Sequence, residues 1–153
     1  MKPVLDIETA RLLVERLHRV RPDSQGRWGE MTAHQMICHL SDSLEGIQGR
    51  KALGSKETFF SRTVVKYVAL RAPMRWPKGV PTMPEMDAKI GGTPPQEWAA
   101  DVSKLVALTE QFSKFGEQEF ARCRHPMFGQ MSLWEWKRWA YLHTDHHLRQ
   151  FGV

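Results

Sequence analysis

The sequence has few cysteines and no long apolar run, and each scarcity excludes a class of protein. Its two cysteines, Cys38 and Cys123, cannot build a disulfide framework in 153 residues, so nothing indicates an oxidising compartment. Each is predicted to be a small buried residue. The longest apolar stretch, near 64–70, is interrupted by Lys66 and is too short to span a bilayer, so no membrane partner is expected.

A secretory leader pattern and dense runs of one charge are also missing. Charged residues are spread through the first thirty positions, so a cytoplasmic protein is expected. The net charge is +5, but the 22 basic residues are scattered and accompany no zinc-finger spacing or RNA-binding aromatic motif. This pattern favours a solvated basic surface over a nucleic-acid-binding face, and it would suit an anionic substrate.

The composition is that of an ordinary globular protein, with 41% hydrophobic and 25% charged residues. A chain of 153 residues fits a single domain, 1–153, and can bury enough surface to fold unaided. Apolar residues recur at helical spacing and no strand-like alternation competes, so the fold class is predicted to be all-α.

The first half of the chain contains two predicted helices. The first covers about 6–20. The second starts at Thr32, which forms a capping box with Gln35, a pattern that satisfies free backbone donors at a helix start. It is expected to end by Gly46 or Gly49, because glycine commonly follows the last helical turn.

Two further helices are predicted in the second half. One follows Pro94 and Pro95 and stops near Gly116. The last opens with a second capping box, Ser132 to Glu135, and continues to about 150. The inner stripe of the earlier helix is predicted to comprise Trp98, Val102, Leu105, Thr109 and Phe112.

A long connection separates the second and third of these helices. It is predicted to hold a helix over 56–70, followed by a segment, Pro73 to Pro95, in which six prolines make regular structure unlikely. Connections of this length are usually functional or flexible, and this one could close over one end of the fold. The architecture that fits is an up-and-down four-helix bundle with one long Pro-rich crossover between helices 2 and 3.

His143 and His147 are the most informative residues of the chain. They are four positions apart in the last predicted helix, so their Cβ atoms lie about 6 Å apart on one face and both imidazoles can reach one metal ion. The same face carries the apolar Trp136 and Ala140. Burying two imidazoles there without partners would cost free energy, which a shared cation would offset.

His39 in the second predicted helix is a third candidate ligand, because it also lies on an apolar stripe. Three imidazoles with open positions match the ligand count of catalytic zinc sites, whereas structural sites usually have four protein ligands. Nickel, iron and manganese also accept imidazole. The alternative is that these histidines are hydrogen-bonded core residues, and spacing alone leaves both interpretations open.

Residues spread along the chain carry a family resemblance: Trp28, Thr32, Gln35, His39 with Leu40, and then His143, His147 and Gln150. In this order they resemble the DinB/YfiT-like superfamily, and more narrowly a branch of unknown function. The resemblance covers nearly the whole chain, and its most specific part is His146, His147 and Gln150. The segment from Pro73 to Pro95 has no counterpart in the superfamily pattern, so no pocket residue is carried over from it.

The resemblance implies a four-helix bundle, often a homodimer, that holds one divalent metal through one histidine of the second helix and two of the last. Carried over to this chain, the ligands are His39, His143 and His147. Zinc or nickel is the expected metal, with iron or manganese as alternatives. Better-known relatives transfer or isomerise small-molecule substrates with low-molecular-weight thiols, although no local motif here identifies a thiol site.

Polar residues near these ligands are predicted to orient the imidazoles or bind water. The candidates are Asp42, Ser43, His146 and Gln150, with a surface position as the alternative for His146. Three other histidines, His18, His34 and His125, are predicted to be surface or loop residues. The tryptophans Trp134, Trp136 and Trp139 are predicted to lie in the core or at a dimer interface.

Three functions remain open from the sequence. The first is a metal-dependent hydrolase or thiol-dependent transferase, because a His-bound dication lowers the pKa of bound water or thiol and polarises an electrophile. Asp42 and Glu45 are the candidates for its general base. The second is a non-catalytic protein that binds a metal or small ligand. The third is a stress-linked interaction or nucleic-acid module in which the histidines are structural.

Overall fold

The computed structural model describes residues 2–153, and every regular element within them is helical. The all-α prediction is therefore confirmed. In chain order the elements are α1 (Ile7–Leu17), α2 (Ala33–Ile47), a π-helical turn (Ser61–Val65) running into α3 (Lys66–Arg71), a 3₁₀ turn (Pro84–Met86), α4 (Trp98–Lys114), α5 (Glu117–Phe120) and α6 (Leu133–Gln150).

Both predicted capping boxes are confirmed. The Thr32 hydroxyl accepts from the Gln35 N–H at 3.1 Å, and the Gln35 side chain accepts from the Thr32 N–H at 3.0 Å. At the start of α6, Ser132 and Glu135 form the same reciprocal pair. These side chains satisfy backbone donors that a helix start leaves free, so they fix where α2 and α6 begin.

Three helix boundaries or elements differ from the sequence prediction. The first helix ends at Leu17 instead of near Val20, because the next turn tightens into hydrogen bonds between residues three apart. The 3₁₀ turn within 73–95 was not predicted. Helix α5 was not predicted either. The Glu119 carboxylate stabilises the start of this helix by accepting the N–H of Gly116 at 2.7 Å.

The helix of the crossover starts later than predicted, near residue 59, and passes through the π-helical turn before it ends at Arg71. Its periodic apolar side chains do not enter the core. They are between 41% and 76% exposed and comprise Phe59, Phe60, Val64, Tyr67 and Val68. We call these five residues the crossover apolar face.

The four long helices share one hydrophobic core. Helix α2 packs against α4 and α6, and α1 packs against the same two helices. Large side chains fully buried between them include Leu13, Ile37, Phe112 and Trp136. In the predicted inner stripe of α4, Leu105, Thr109 and Phe112 are buried, whereas Trp98 and Val102 are half-buried.

The tryptophans and cysteines largely take the expected environments. Trp136 and Trp139 lie in the core, and Trp134 is half-buried with the Arg71 guanidinium 4.6 Å above its ring. Cys38 and Cys123 are buried free thiols. Within residues 2–153, no helix combines the length and apolarity that crossing a membrane would require.

Candidate metal centre

Helices α2 and α6 bring the imidazoles of His39, His143 and His147 together. One nitrogen of each ring lies within 4.8 Å of the others. The Nε2 atoms of His39 and His143 are 3.1 Å apart. His39 and His147 are buried and His143 is half-buried, so the cluster sits at the inner edge of the helix packing. The structure thus places the three predicted ligands at one point.

The outer nitrogen of His39 is held by the crossover. Its Nδ1 lies 3.2 Å from the carbonyl oxygen of Met86, which can only accept, so Nδ1 carries the proton. Nε2 is then an unprotonated acceptor that faces His143. The Ser43 hydroxyl donates to the His39 backbone carbonyl at 2.7 Å, so Ser43 supports the helix backbone beneath this ring.

The outer nitrogen of His147 is held by Gln150. The Gln150 Nε2 donates to the carbonyl of Trp28 at 2.8 Å, so its Oε1 must be the atom that accepts from His147 Nδ1 at 2.8 Å. This arrangement leaves Nε2 of His147 without a proton. The predicted orienting role of Gln150 agrees with this geometry.

Aromatic packing positions His143. Its ring lies against Trp139 with 5.0 Å between centroids, and against Trp76 at 6.1 Å. Trp76 belongs to the crossover and is fixed there by its Nε1, which donates to the carbonyl of Ala69 at 2.8 Å. The crossover therefore covers the cluster from one side with Trp76 and from another with Met86.

Burial keeps all three imidazoles neutral. It lowers the pKa of His39, and it lowers the pKa of His143 and His147 well below their usual range. The neighbouring imidazoles lower the pKa of His143 and His147 further, because each positive ring would repel the next. Neutral imidazole is the form that binds a metal.

The donor set fits a divalent ion. Bond lengths of about 2.0–2.1 Å to imidazole imply nitrogen atoms separated by roughly 3.3 Å in a tetrahedral site. The 3.1 Å separation of the His39 and His143 Nε2 atoms is close to that value. Two of the three rings also donate their outer N–H to an oxygen, as metal-bound histidines usually do.

The two acidic residues predicted as general-base candidates, Asp42 and Glu45, bind partners outside the imidazole cluster. Buried Asp42 accepts from the backbone N–H and hydroxyl of Thr93 at 2.7 and 2.6 Å, and its carboxylate lies 2.8 Å from the Lys51 ammonium. Glu45 pairs with Lys104 at 2.9 Å. Among residues 2–153, neither carboxylate hydrogen-bonds an imidazole, so no general base is assigned to them.

His146 points partly away from the cluster. It is half-buried, and its ring lies 5.3 Å from that of His147 and 5.7 Å from that of Trp28. Burial lowers its pKa, and the charge of Arg149 lowers it further. His146 therefore lies between the imidazole cluster and an outer cavity rather than acting as a fourth member of the cluster.

Sequence reasoning missed the crossover residues that complete the site. Met86, Trp76 and Thr93 all come from the segment 73–95, which was predicted only to be long and irregular. Its length indicated a functional connection. A backbone carbonyl such as that of Met86 leaves no signal in the sequence, because every residue has one.

A second group of metal-binding side chains lies between α2 and α4. Ligand atoms of His34, Cys38 and Asp101 are within 4.8 Å of one another. His34 Nε2 lies 2.7 Å from the Asp101 carboxylate, which also accepts the Gln96 N–H at 3.0 Å. Burial raises the pKa of the Cys38 thiol to about 11. A hydrogen bond between His34 and Asp101 and a protonated thiol account for this group.

The positions of the other three histidines, which were predicted to be surface or loop residues, agree with the prediction only in part. His18 is exposed, as predicted. His34 is half-buried on α2 instead of lying in a loop or free on the surface. His125 lies in a loop, as predicted, but its ring stacks on Phe128 at 4.4 Å and burial lowers its pKa to about 3.

The family model described as a protein of unknown function, DUF1569, matches residues 4–152, so the chain belongs to that family. No curated protein and no solved structure matches the chain.

Proposed function

We propose that this protein binds one divalent metal through His39, His143 and His147 and uses it as a hydrolase or thiol-dependent transferase acting on a small molecule. The observation that carries the proposal is the convergence of three neutral imidazoles, two of which have their outer nitrogens held by oxygen acceptors. A single buried histidine needs only a hydrogen-bond partner, whereas three imidazoles whose ring nitrogens converge can all bind one shared cation.

A relationship to the DinB/YfiT-like superfamily is part of the same proposal. Helices α1, α2, α4 and α6 pack on one another in pairs, which supports an up-and-down four-helix bundle with its crossover between α2 and α4. The ligands would then come from its second and last helices.

A His-bound dication supplies a bound water or thiol of lowered pKa and a means of polarising an electrophile. The chain itself contributes orientation and exclusion of water. The Met86 carbonyl and the Gln150 amide fix two imidazoles, and the rings of Trp76 and Trp139 cover His143. Zinc or nickel suits an all-imidazole set, with iron and manganese as alternatives.

The competing function is a metal or small-ligand binding protein without catalysis. It is favoured by the absence, among residues 2–153, of a carboxylate hydrogen-bonded to any of the three imidazoles, since Asp42 and Glu45 are paired with lysines. A nucleic-acid or stress-linked interaction module is the third alternative. Its support is the net charge of +5 alone.

Metal content tests the site. Purified protein is expected to carry about one equivalent of metal, and the double variant His143→Ala, His147→Ala close to none, because a single imidazole holds an ion weakly. The exposed His18→Ala variant is the matched control and should match the wild type. Circular dichroism would show that each variant is folded. Equal metal content in a folded double variant would remove the proposal.

Catalysis is tested separately. Two reactions would be followed with metal-loaded and chelator-treated protein: displacement of chloride from 1-chloro-2,4-dinitrobenzene by a thiol, and hydrolysis of 4-nitrophenyl esters. A rate above background that chelator abolishes and metal restores supports the enzyme. Stoichiometric metal without any chelator-sensitive rate would favour the binding protein instead.

A further inference from the structure

A cavity of about 330 Å³ lies directly beside the imidazole cluster. Trp76 and His146 line it, and both also contact the cluster: Trp76 lies 6.1 Å from the ring of His143, and His146 lies 5.3 Å from that of His147. The cavity and the cluster therefore share walls. Its volume falls at the lower end of the range of about 300–1,000 Å³ for small-molecule sites.

The remaining polar lining of this cavity is entirely basic. It consists of Arg27, Arg75, Lys78 and Arg149, and no acidic side chain lines the cavity. Within residues 2–153, no carboxylate forms an ion pair with Arg27, Arg75 or Lys78. Such a concentration of one charge around a concave surface attracts anions.

The fourth cation is only partly neutralised. Arg149 lies 2.8 Å from Asp145, but the same carboxylate is also 2.8 Å from Arg16. One carboxylate between two guanidinium groups leaves an excess of positive charge. The cavity thus has four cations around it and no carboxylate in its lining.

Two tryptophans give the cavity its apolar walls. The ring centroids of Trp28 and Trp76 lie 5.7 and 6.3 Å from that of His146, so both indoles are neighbours of this imidazole. The Lys78 ammonium sits 4.5 Å from the centre of the Trp28 ring, where the cation is attracted to the π face. Hydrogen bonds from Gln150 to the Trp28 carbonyl and from the Trp76 indole to Ala69 hold both walls.

We propose that this cavity binds the substrate, and that the substrate is a small organic anion, a carboxylate or phosphate ester carrying a planar or apolar group. The anionic group lies among Arg27, Arg75 and Lys78, and the planar group lies against Trp28 and Trp76. Its other end then faces His143 and His147. The assignment of this ligand as a substrate rests on the proposed metal-dependent function, whereas the preference for anions rests on the cavity alone.

A single-stranded nucleic acid would also use cations and stacking aromatics. The structure favours a small molecule, because both indoles and all four cations line one cavity of about 330 Å³, which is the size of a small-molecule site. An oligonucleotide is therefore included in the test as a competitor.

Three probes of one shape test the preference for anions: 2-naphthoate, 2-naphthyl phosphate and the neutral 2-naphthylmethanol. Binding would be measured by calorimetry on chelator-treated protein, so that coordination of the probe to a metal cannot contribute. Both anions are expected to bind at least about tenfold more tightly than the alcohol, and added salt should weaken only the anions.

The double variant Arg75→Gln, Lys78→Gln tests whether these two cations bind the anionic group of the ligand. Both side chains are exposed and lack carboxylate partners, so the fold should be unaffected. Affinity for 2-naphthoate is expected to fall by about tenfold and affinity for the alcohol to stay the same. The control Arg19→Gln, Arg122→Gln removes the same charge from exposed positions elsewhere and should bind like the wild type.

Four outcomes would overturn the anion site. The first two are equal affinity for all three probes and no binding of any probe. The third is an equal loss of affinity for 2-naphthoate in the control variant. The fourth is tighter binding of an eight-nucleotide oligothymidylate than of either anion. The two proposals can also fail separately. Loss of metal binding with the anion preference intact removes the metal centre alone, whereas normal metal content in protein without the anion preference removes this inference alone.

Discussion

At the scale of single residues, Gln150 connects the imidazole cluster to the neighbouring cavity. Its side-chain oxygen fixes the tautomer of His147, and its side-chain nitrogen holds the backbone of Trp28. One amide thus joins a predicted metal ligand to a wall of the cavity. The residue is 4% exposed, so both hydrogen bonds are shielded from water.

Replacing Gln150 should weaken metal binding without unfolding the protein. Gln150→Met keeps the side-chain volume but removes the acceptor for His147, and metal affinity is expected to fall by about 10- to 100-fold. Gln150→Glu keeps an acceptor and should retain more of the affinity. Competition with a chromophoric chelator measures both. If the methionine variant binds metal like the wild type, the hydrogen bond to His147 has no orienting role.

His125 should make the protein sensitive to acid. Its Nδ1 accepts the N–H groups of Met127 and Phe128, each at 3.1 Å, and burial lowers its pKa to about 3. The unfolded chain takes up this proton near pH 6.5, so its stabilising effect is complete above that pH and declines as pH falls towards 3. The expected loss is up to about 1.4 kcal/mol per pH unit from this group.

Urea unfolding of chelator-treated protein at pH 7, 6 and 5 measures that loss. His125→Asn offers an amide oxygen to the same N–H groups and does not titrate, so its stability should decline less between pH 7 and 5. The exposed His18→Asn is the control and should decline like the wild type. Identical pH dependence in all three proteins would show that His125 is not the acid-sensitive group.

The sequence predicted the three clustered imidazoles, but it did not predict which groups hold them in place. His143 and His147 followed from helical spacing, and His39 from its place on an apolar stripe. The Met86 carbonyl and the two contacts of Asp42 could not be predicted, because they join α2 to a segment without periodicity. The loop position of His125 was predicted, but its enclosure by aromatic rings was not, because a loop position in the sequence does not reveal its neighbours.

At the scale of elements, local hydrogen bonds determine where the helices begin, whereas tertiary contacts determine the path of the crossover. Capping boxes located the starts of α2 and α6 to the residue. The segment 73–95 has little regular structure of its own and is held by side chains of α2. Asp42 holds the C-terminal end of the segment by accepting from the backbone N–H and hydroxyl of Thr93, and His39 and Ser43 hold its middle at Met86.

Removing the Asp42 carboxylate should detach one end of the crossover. Asp42→Ala leaves the Lys51 ammonium and the Thr93 N–H unpaired, and the expected cost is roughly 3 kcal/mol of unfolding free energy. Limited proteolysis should then cut within 73–95 faster than in the wild type. Asp23→Ala, which breaks an exposed pair with Arg21, is the control. Unchanged cleavage would show that other contacts hold the segment.

At the scale of the whole molecule, the crossover apolar face is a group of apolar side chains left open to solvent. Its five side chains lie at helical spacing and remain at least 41% exposed, whereas no large apolar side chain of α2, α4 or α6 is exposed. Contiguous apolar surface of this kind is typical of an interface. The homodimer that the superfamily resemblance implies stays a prediction, and we propose this face as the place where a second copy would bind.

Two acidic substitutions on that face should prevent association. The wild type is expected to sediment as a dimer at micromolar concentration, and Phe60→Glu, Tyr67→Glu as a folded monomer, because charge would be buried between the copies. Met74→Glu, Val80→Glu places the same charge on exposed apolar positions outside the face and should leave the dimer intact. A monomeric wild type would exclude this interface.

The pairing of His39 with a carbonyl 47 positions later and an imidazole 104 positions later constrains the order of events during synthesis. While the chain is being translated, His39 leaves the ribosome long before Met86, and Met86 leaves long before His143 and His147. The three imidazoles can therefore meet only after the whole stretch from α2 to α6 has been synthesised. An ion bound by all three would join two helices that are made at well-separated times.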